Sequence, residues 1–370
     1  MTLMALPVIG HAQIVAVGKL ERIAALYGPM PTGVTVSHTG RIFINYPHWG
    51  DDVKFTVAEL KNGRPVPYPN AQINKIDKAH PDKCLYSVQS VVVDPLDRLW
   101  ALDTGSVKLG PNVPGGPKLV CMDLKTNTVT RTIFFPRAVV PAQTYLNDVR
   151  FDLRRGKAGM AYITDSGDGA PNGIIVVDLA TGKSYRRLGG HPSVKVEPGF
   201  IMTVEGQPLY ERKPGQKPKQ PQFNSDGIAI TPARLYYCPL SGRHLYSVSL
   251  DALSDPKRSE ADVEQTVVDE GAKPTASDGL ESDTQGGIYC TGEEINGLVR
   301  RAPSGQYQTL VQDPRLIWTD TLSFATNGYL YVTANQLNRQ GRYHKGHDLR
   351  RPPYGLFRIK VNARPVLLKP

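Results

Sequence analysis

The sequence predicts an all-β fold, a six-bladed β-propeller of four-stranded antiparallel blades around a central channel. Three observations predict it. One short phrase returns six times along the 370 residues, at a spacing that signals radial or stacked architecture. Each copy is followed in most units by a second, weaker pair of strands, so six units of four strands close a ring. Glycine and proline are abundant together and scattered, at 35 and 31 residues, as a turn-rich β chain requires.

The phrase is a polar lead-in, an apolar strand, a tight turn and a second strand rich in Tyr, Leu and Ile. Its first copy reads Thr32-Gly-Val-Thr-Val-Ser-His-Thr-Gly-Arg-Ile-Phe-Ile. The second is Gln89-Ser-Val-Val-Val-Asp-Pro-Leu-Asp-Arg-Leu-Trp-Ala-Leu-Asp103. The third is Asn147-Asp-Val-Arg-Phe-Asp, resuming at Met160-Ala-Tyr-Ile-Thr-Asp165. The fourth and fifth begin at Asp226-Gly-Ile-Ala-Ile and Asp278-Gly-Leu-Glu-Ser. The sixth is Asp320-Thr-Leu-Ser-Phe-Ala-Thr-Asn-Gly-Tyr-Leu-Tyr-Val. The outer hairpins turn on Thr-Asn and Thr-Gly pairs, as in Asp123-Leu-Lys-Thr-Asn and Asp178-Leu-Ala-Thr-Gly. Ring closure pairs the N-terminal stretch Ile14–Tyr27, as an outer strand, with Leu356–Val361.

These units predict one propeller domain over residues 14–370, because no unit can bury its apolar face without a neighbour. The stretch Gly190–Phe223 is an insertion, with a Pro/Lys/Gln-rich run at Lys213–Pro221 too polar to pack a core. It is expected to lie as a loop or lid over one face. The first residues, 1–13, read as the remnant of a signal peptide, with an apolar run before Gly10 and Ala12. That start predicts a periplasmic or extracellular location. No stretch reaches the ~20 apolar residues of a membrane span. Cys84, Cys121, Cys238 and Cys290 lack metal-type spacing and are expected to be buried free thiols.

The net charge is +10, but the basic residues are dispersed. The two dense runs, Lys213–Lys219 with Gly and Pro and Arg339–Arg351 with Gly, read as solvated loops, and no stacking or helix-turn-helix motif points to nucleic acid. The chain is expected to be a monomer with a small-molecule partner.

In a propeller the first strand of each blade lines the channel, so the lead-in residues gather at one mouth. They are Thr32, Gln89, Asn147 with Asp148, Asp226, Asp278 and Asp320. Carboxylates and amides aimed at one axis form a hard, oxygen-rich site suited to Ca²⁺, Mg²⁺ or Mn²⁺, and a metal-held carboxylate can act as a base. The competing reading of each Asp-Gly is a simple turn, with Asp bonding its own backbone and Gly at positive φ. Asp165-Ser-Gly-Asp168 reads as a turn, and His344-x-x-His347 as solvated surface. No Gly-x-Ser-x-Gly elbow or nucleotide-binding loop is present.

Several runs together resemble the yellow/major royal jelly protein family. They are Ser87–Gly105, Tyr145-Leu-Asn-Asp-Val-Arg-Phe-Asp152, Ile163-Thr-Asp-Ser166, Ser225-Asp-Gly-Ile-Ala-Ile, Leu235-Tyr-Tyr-Cys-Pro-Leu-Ser241, Ser277-Asp-Gly-Leu, Trp318-Thr-Asp-Thr-Leu and Tyr329–Leu337. The resemblance implies a propeller, often exported, with a central pocket. Members include small-amine binders and proteins related to dopachrome tautomerases. A more distant resemblance is to regucalcin and gluconolactonase propellers, which hold one divalent metal (Ca, Mg, Mn or Zn). It implies Asn147, Asp226 and Asp278 as metal ligands, with Asp278 also the catalytic base. Gln89, Asp148, Asp320 and Thr32 are then expected to contact the ligand, with Thr32 standing where lactonases carry a Glu. The resulting expectation is an exported propeller with an acidic pocket, either a metal-dependent lactone hydrolase or tautomerase-like enzyme, or a non-catalytic binder of an amine or aromatic ligand.

Overall fold

A computed structural model describes residues 17–370. The leader-like segment 1–13 lies outside the described residues. Six four-stranded antiparallel sheets form the blades. Their inner strands are Val34–Val36, Val88–Val93, Leu146–Asp152, Ser225–Ile230, Leu280–Ser282 and Thr319–Phe324. These touch in chain order, and the sixth touches the first, so the sheets ring one axis as the repeat predicts.

Closure follows the expected scheme. Glu21–Leu26 pairs antiparallel with Tyr354–Lys360 and becomes the outer strand of the sixth blade. Arg358 Nε donates to Glu21 Oε2 at 2.7 Å across this pair.

The tight turns form because aspartate caps them. Asp94 Oδ1 accepts from the backbone N–H groups of Leu96 and Arg98, and Asp123 and Asp178 do the same for the hairpins that follow them. At the far side of the Asp94 and Asp123 turns, Asp97 and Asn127 take positive φ, a conformation these residue types tolerate.

The apolar faces pack between blades rather than within them. Trp100 and Leu102 of blade 2 meet Phe151, Ile163 and Ile175 of blade 3 in one buried cluster. Ala229 and Cys238 of blade 4 meet Ile288 and Cys290 of blade 5 in another. All four cysteines are buried and unpaired. No helix among the described residues is long and apolar enough to cross a membrane.

The insertion folds onto the propeller. It forms a short turn at Pro192–Val194 and a hairpin of Thr203–Val204 with Gln207–Pro208. Met202, Val204 and Leu209 are buried in the cluster shared by the first and last blades. Lys213–Lys219 stays exposed, as expected. The run 339–351 differs from a simple solvated loop. Arg350 forks onto Asp51 at 2.7 and 2.9 Å, Arg339 bonds Glu205, and Arg342 pairs with Glu211. Acids distant in sequence recruit these arginines and tie the loop to the first blade and the insertion.

Candidate functional site

The lead-in residues sit on a recurring irregularity. The inner strands of blades 2, 3, 4 and 6 each slip register against their second strands, between Val88 and Ser90, Leu146 and Val149, Ser225 and Ile228, and Thr319 and Leu322. Such a bulge re-aims side chains and frees backbone groups. Gln89, Asn147, Asp226 and Asp320 all lie in these slips.

Hydroxyls from the second strands satisfy the freed backbone. Thr164 Oγ1 donates to the Asp226 carbonyl at 2.7 Å and accepts from the Asp148 N–H at 3.3 Å. Thr291 Oγ1 accepts from the N–H groups of Asp278 and Gly279 at 2.9 and 3.0 Å. Thr333 Oγ1 donates to the Thr32 carbonyl at 2.6 Å. Thr164 and Thr333 therefore pin one blade to the lead-in of the next. Thr164→Val should lower stability by about 2 kcal/mol in chemical denaturation, because it strands two buried backbone groups. A loss under about 0.5 kcal/mol would show that the bulges hold without this clamp.

The glycines of the lead-ins have a different role from the one expected. Neither Gly227 nor Gly279 takes positive φ. Instead, a Cβ at Gly227 would lie 2.6 Å from the Asp278 carbonyl oxygen, and one at Gly279 would lie 2.2 Å from that of Asp320. Each Asp-Gly is thus a place where neighbouring inner strands nearly touch.

Above the bulges lies a cavity of about 620 Å³. Gln89, Asn147, Asp226, Asp278 and Asp320 line it. The structure therefore brings together five of the seven lead-in residues. Thr32 and Asp148 are not among its lining. Thr32 Oγ1 is spent on the Gln89 carbonyl at 3.1 Å and accepts from Asn45 Nδ2 at 2.8 Å. Asp148 accepts from Ser90 Oγ at 2.6 Å and forms a buried ion pair with Arg150 at 2.8 Å. Arg150 crosses from blade 3 to donate to the Leu280 carbonyl of blade 5 at 2.7 Å, so a cation bridges the channel.

Aromatic groups make the walls. Trp49 Nε1 donates to Tyr145 Oη at 2.6 Å, and that hydroxyl donates to Gln89 Oε1 at 2.9 Å. Phe223 of the insertion packs edge-on against Trp318, whose Nε1 donates to Asp278 Oδ2 at 2.8 Å. Lys108, Lys213, Lys217, Lys219 and Arg342 also line the cavity. Asp168 lines it too and pairs with Lys219 at 2.8 Å, whereas Asp165 is structural, accepting from Thr144 Oγ1, the Tyr145 N–H and Arg186. His344 Nε2 bonds the Asn338 carbonyl at 3.0 Å, away from this cavity's lining.

The acids hold their protons tightly. Burial pushes Asp226 and Asp278 well above the usual carboxylate range, and repulsion from Asp320 adds to the effect in both. The two carboxyls interact directly, and Asp226 accepts from Asn147 Nδ2. Burial raises Asp320 to about 7, the donors Thr321 and Asn335 holding it lower than its neighbours. Sequence reasoning missed Glu293. It is fully buried, raised by burial, and accepts from Thr319 Oγ1 at 3.2 Å, while its Oε2 has no partner among the described residues. It follows a second strand, outside the repeated phrase, so no pattern marked it. Among the described residues, no three His, Cys, Asp or Glu side chains form a metal-type cluster.

The family model described as Major royal jelly protein matches residues 86–362. This chain belongs to that family. The royal jelly family protein is similar to Protein yellow of Drosophila madeirensis, at 28% identity over 254 residues, and to that of Drosophila melanogaster, at 27% over 254. Each match covers 62% of this chain but only 41% or 43% of the relative. Among solved structures, a gluconolactonase of Xanthomonas campestris matches with a TM-score of 0.55 at 11% identity, covering 93% of this chain and 90% of that one. Regucalcin of Agrobacterium tumefaciens, a calcium-binding protein, matches with a TM-score of 0.56 at 13% identity, covering 96% and 97%. At such identities these structures establish the fold alone.

Proposed function

We propose that this royal jelly family protein binds a small aromatic molecule carrying a protonated amine in its central cavity. The observation that carries this reading is the pairing of a buried acidic floor with aromatic walls. Asp226 and Asp278 crowd together where both cannot ionise unaided. An ammonium group placed beside them supplies the missing counter-charge, and Trp49, Tyr145 and Phe223 cover an apolar ring. Binding should therefore release protons and strengthen as pH rises. An exported location belongs to the same reading and rests on the family.

A second reading keeps a divalent metal and lactone or tautomer chemistry. Its support is the convergence of oxygen donors on the floor, a donor chemistry that fits a hard cation. Asn147, Asp226 and Asp278 would hold the ion, which would polarise a carbonyl or acidify a water, with Asp278 placed to take a proton. Thr32 has no carboxylate to offer such a site, and its hydroxyl is engaged with the Gln89 carbonyl.

Calorimetry with tryptamine and its uncharged analogue 3-methylindole distinguishes the readings. Wild-type protein at pH 8 should prefer tryptamine by at least about tenfold, and Asp278→Asn should erase that preference. Equal binding of both probes, or of neither, defeats the amine reading. A parallel thermal shift with Ca²⁺ or Mn²⁺ that disappears in Asp278→Asn favours the metal reading.

A further inference from the structure

A second groove, of about 570 Å³, lies between the insertion hairpin and the 339–351 loop. No residue lines both it and the central cavity. Arg212, Arg339, Arg350 and Arg351 line it against only two carboxylates, Glu205 and Asp348. Both acids are already committed. Arg339 Nε donates to Glu205 at 2.9 Å, and Arg350 holds Asp348 at 2.6 Å while also pairing with Asp51.

Arg212 and Arg351 are left over. Among the described residues, neither guanidinium makes an ion pair or a hydrogen bond. Arg212 lies over the ring of Tyr210 at 5.4 Å, which uses a face and leaves its N–H edges open. Arg351 is held only through its backbone, whose N–H donates to Gln336 Oε1 at 2.8 Å. Tyr343 also lines the groove, buried, with a hydroxyl that has no partner among the described residues.

We propose that this groove is a binding site for an oxyanion of the phosphate class, held by Arg212 and Arg351. Two unneutralised cations on one concave surface repel each other, and a shared anion removes that cost. The planar guanidinium fork matches the paired oxygens of a tetrahedral oxyanion, and a doubly charged group satisfies both forks. The Tyr343 hydroxyl, pushed up to about 12 by burial, stays protonated at neutral pH and remains a donor. The ligand is either free phosphate or a phosphate monoester.

The test is calorimetric titration with inorganic phosphate and with phenyl phosphate, at constant ionic strength and pH 7.5. Wild-type protein should bind at least one probe saturably. Arg212→Ala/Arg351→Ala should weaken that binding at least about tenfold, and Arg212→Lys/Arg351→Lys should fall between, because lysine keeps the charge and loses the fork. Thermal unfolding without phosphate reports whether each variant is folded, and the lysine pair carries the comparison if the alanine pair is not. Equal affinity for the probes assigns free phosphate, and tighter binding of phenyl phosphate assigns an ester. Asp278→Asn should bind phosphate as wild type does. No saturable binding by wild type, an unchanged double-alanine variant, or loss of binding in Asp278→Asn overturns the proposal.

Discussion

Asp320→Asn is expected to reduce the pH dependence of stability between about pH 4 and pH 7. Burial raises the Asp320 carboxyl from 3.8 to about 7 in the folded protein. In that window the native state keeps a proton that the unfolded state has released. The Asp320 contribution to stability therefore falls as pH rises from the unfolded pKa and levels off above the folded one. A displacement of this size corresponds to a loss on the order of 4 kcal/mol across the window. Asparagine cannot ionise and keeps an oxygen to accept from Asn335 Nδ2, which now donates to Asp320 Oδ2 at 2.8 Å. It also removes a charge that repels Asp226 and Asp278. Urea unfolding at pH 5 and pH 8 measures the effect. A variant that loses as much stability as wild type over that interval would show that Asp320 titrates normally. In the presence of a bound amine the dependence should weaken, because the ligand favours the ionised floor.

Gly279→Ala is expected to cost roughly 3 kcal/mol or more, as does overpacking of a well-filled interior when no side chain can yield. The new methyl group would meet the Asp320 carbonyl at 2.2 Å, and backbone cannot rotate away as a rotamer can. Gly227→Ala, facing the Asp278 carbonyl at 2.6 Å, should follow at a smaller cost. The damage should also reach the cavity, because the carbonyls pushed aside belong to floor residues. Tryptamine affinity should thus fall together with the denaturation midpoint. A Gly279→Ala protein within about 0.5 kcal/mol of wild type would mean that the blades can part without cost.

The ring was legible because its signal is periodic. The polar lead-ins mark the same depth in each blade, and Gln89, Asn147, Asp226, Asp278 and Asp320 all line the cavity. Thr32 and Asp148 escaped that logic for local reasons. Thr32 has a hydroxyl short enough to serve the neighbouring backbone, and Asp148 sits beside Arg150, which claims it. The lead-in glycines looked like turn residues because the carbonyls that exclude a side chain belong to the next blade, over forty residues away. Glu293 and Trp318 belong to no repeated position, so only the folded chain brings Trp318 onto Asp278 and Glu293 onto Thr319. The basic loop was read by composition alone, which cannot reveal that Asp51, Glu205 and Glu211 reach it from afar.

The pairing of Glu21–Leu26 with Tyr354–Lys360 orders events during synthesis. Glu21–Leu26 leaves the ribosome more than three hundred residues before the strand it pairs with, Glu21 and Arg358 being 337 positions apart. Until then its own edge and that of the last blade stay open to other chains. Contacts this distant in sequence form slowly. The nascent protein therefore remains an unclosed arc until Tyr354–Lys360 emerges, and truncations anywhere before Tyr354 should yield aggregating fragments rather than smaller propellers.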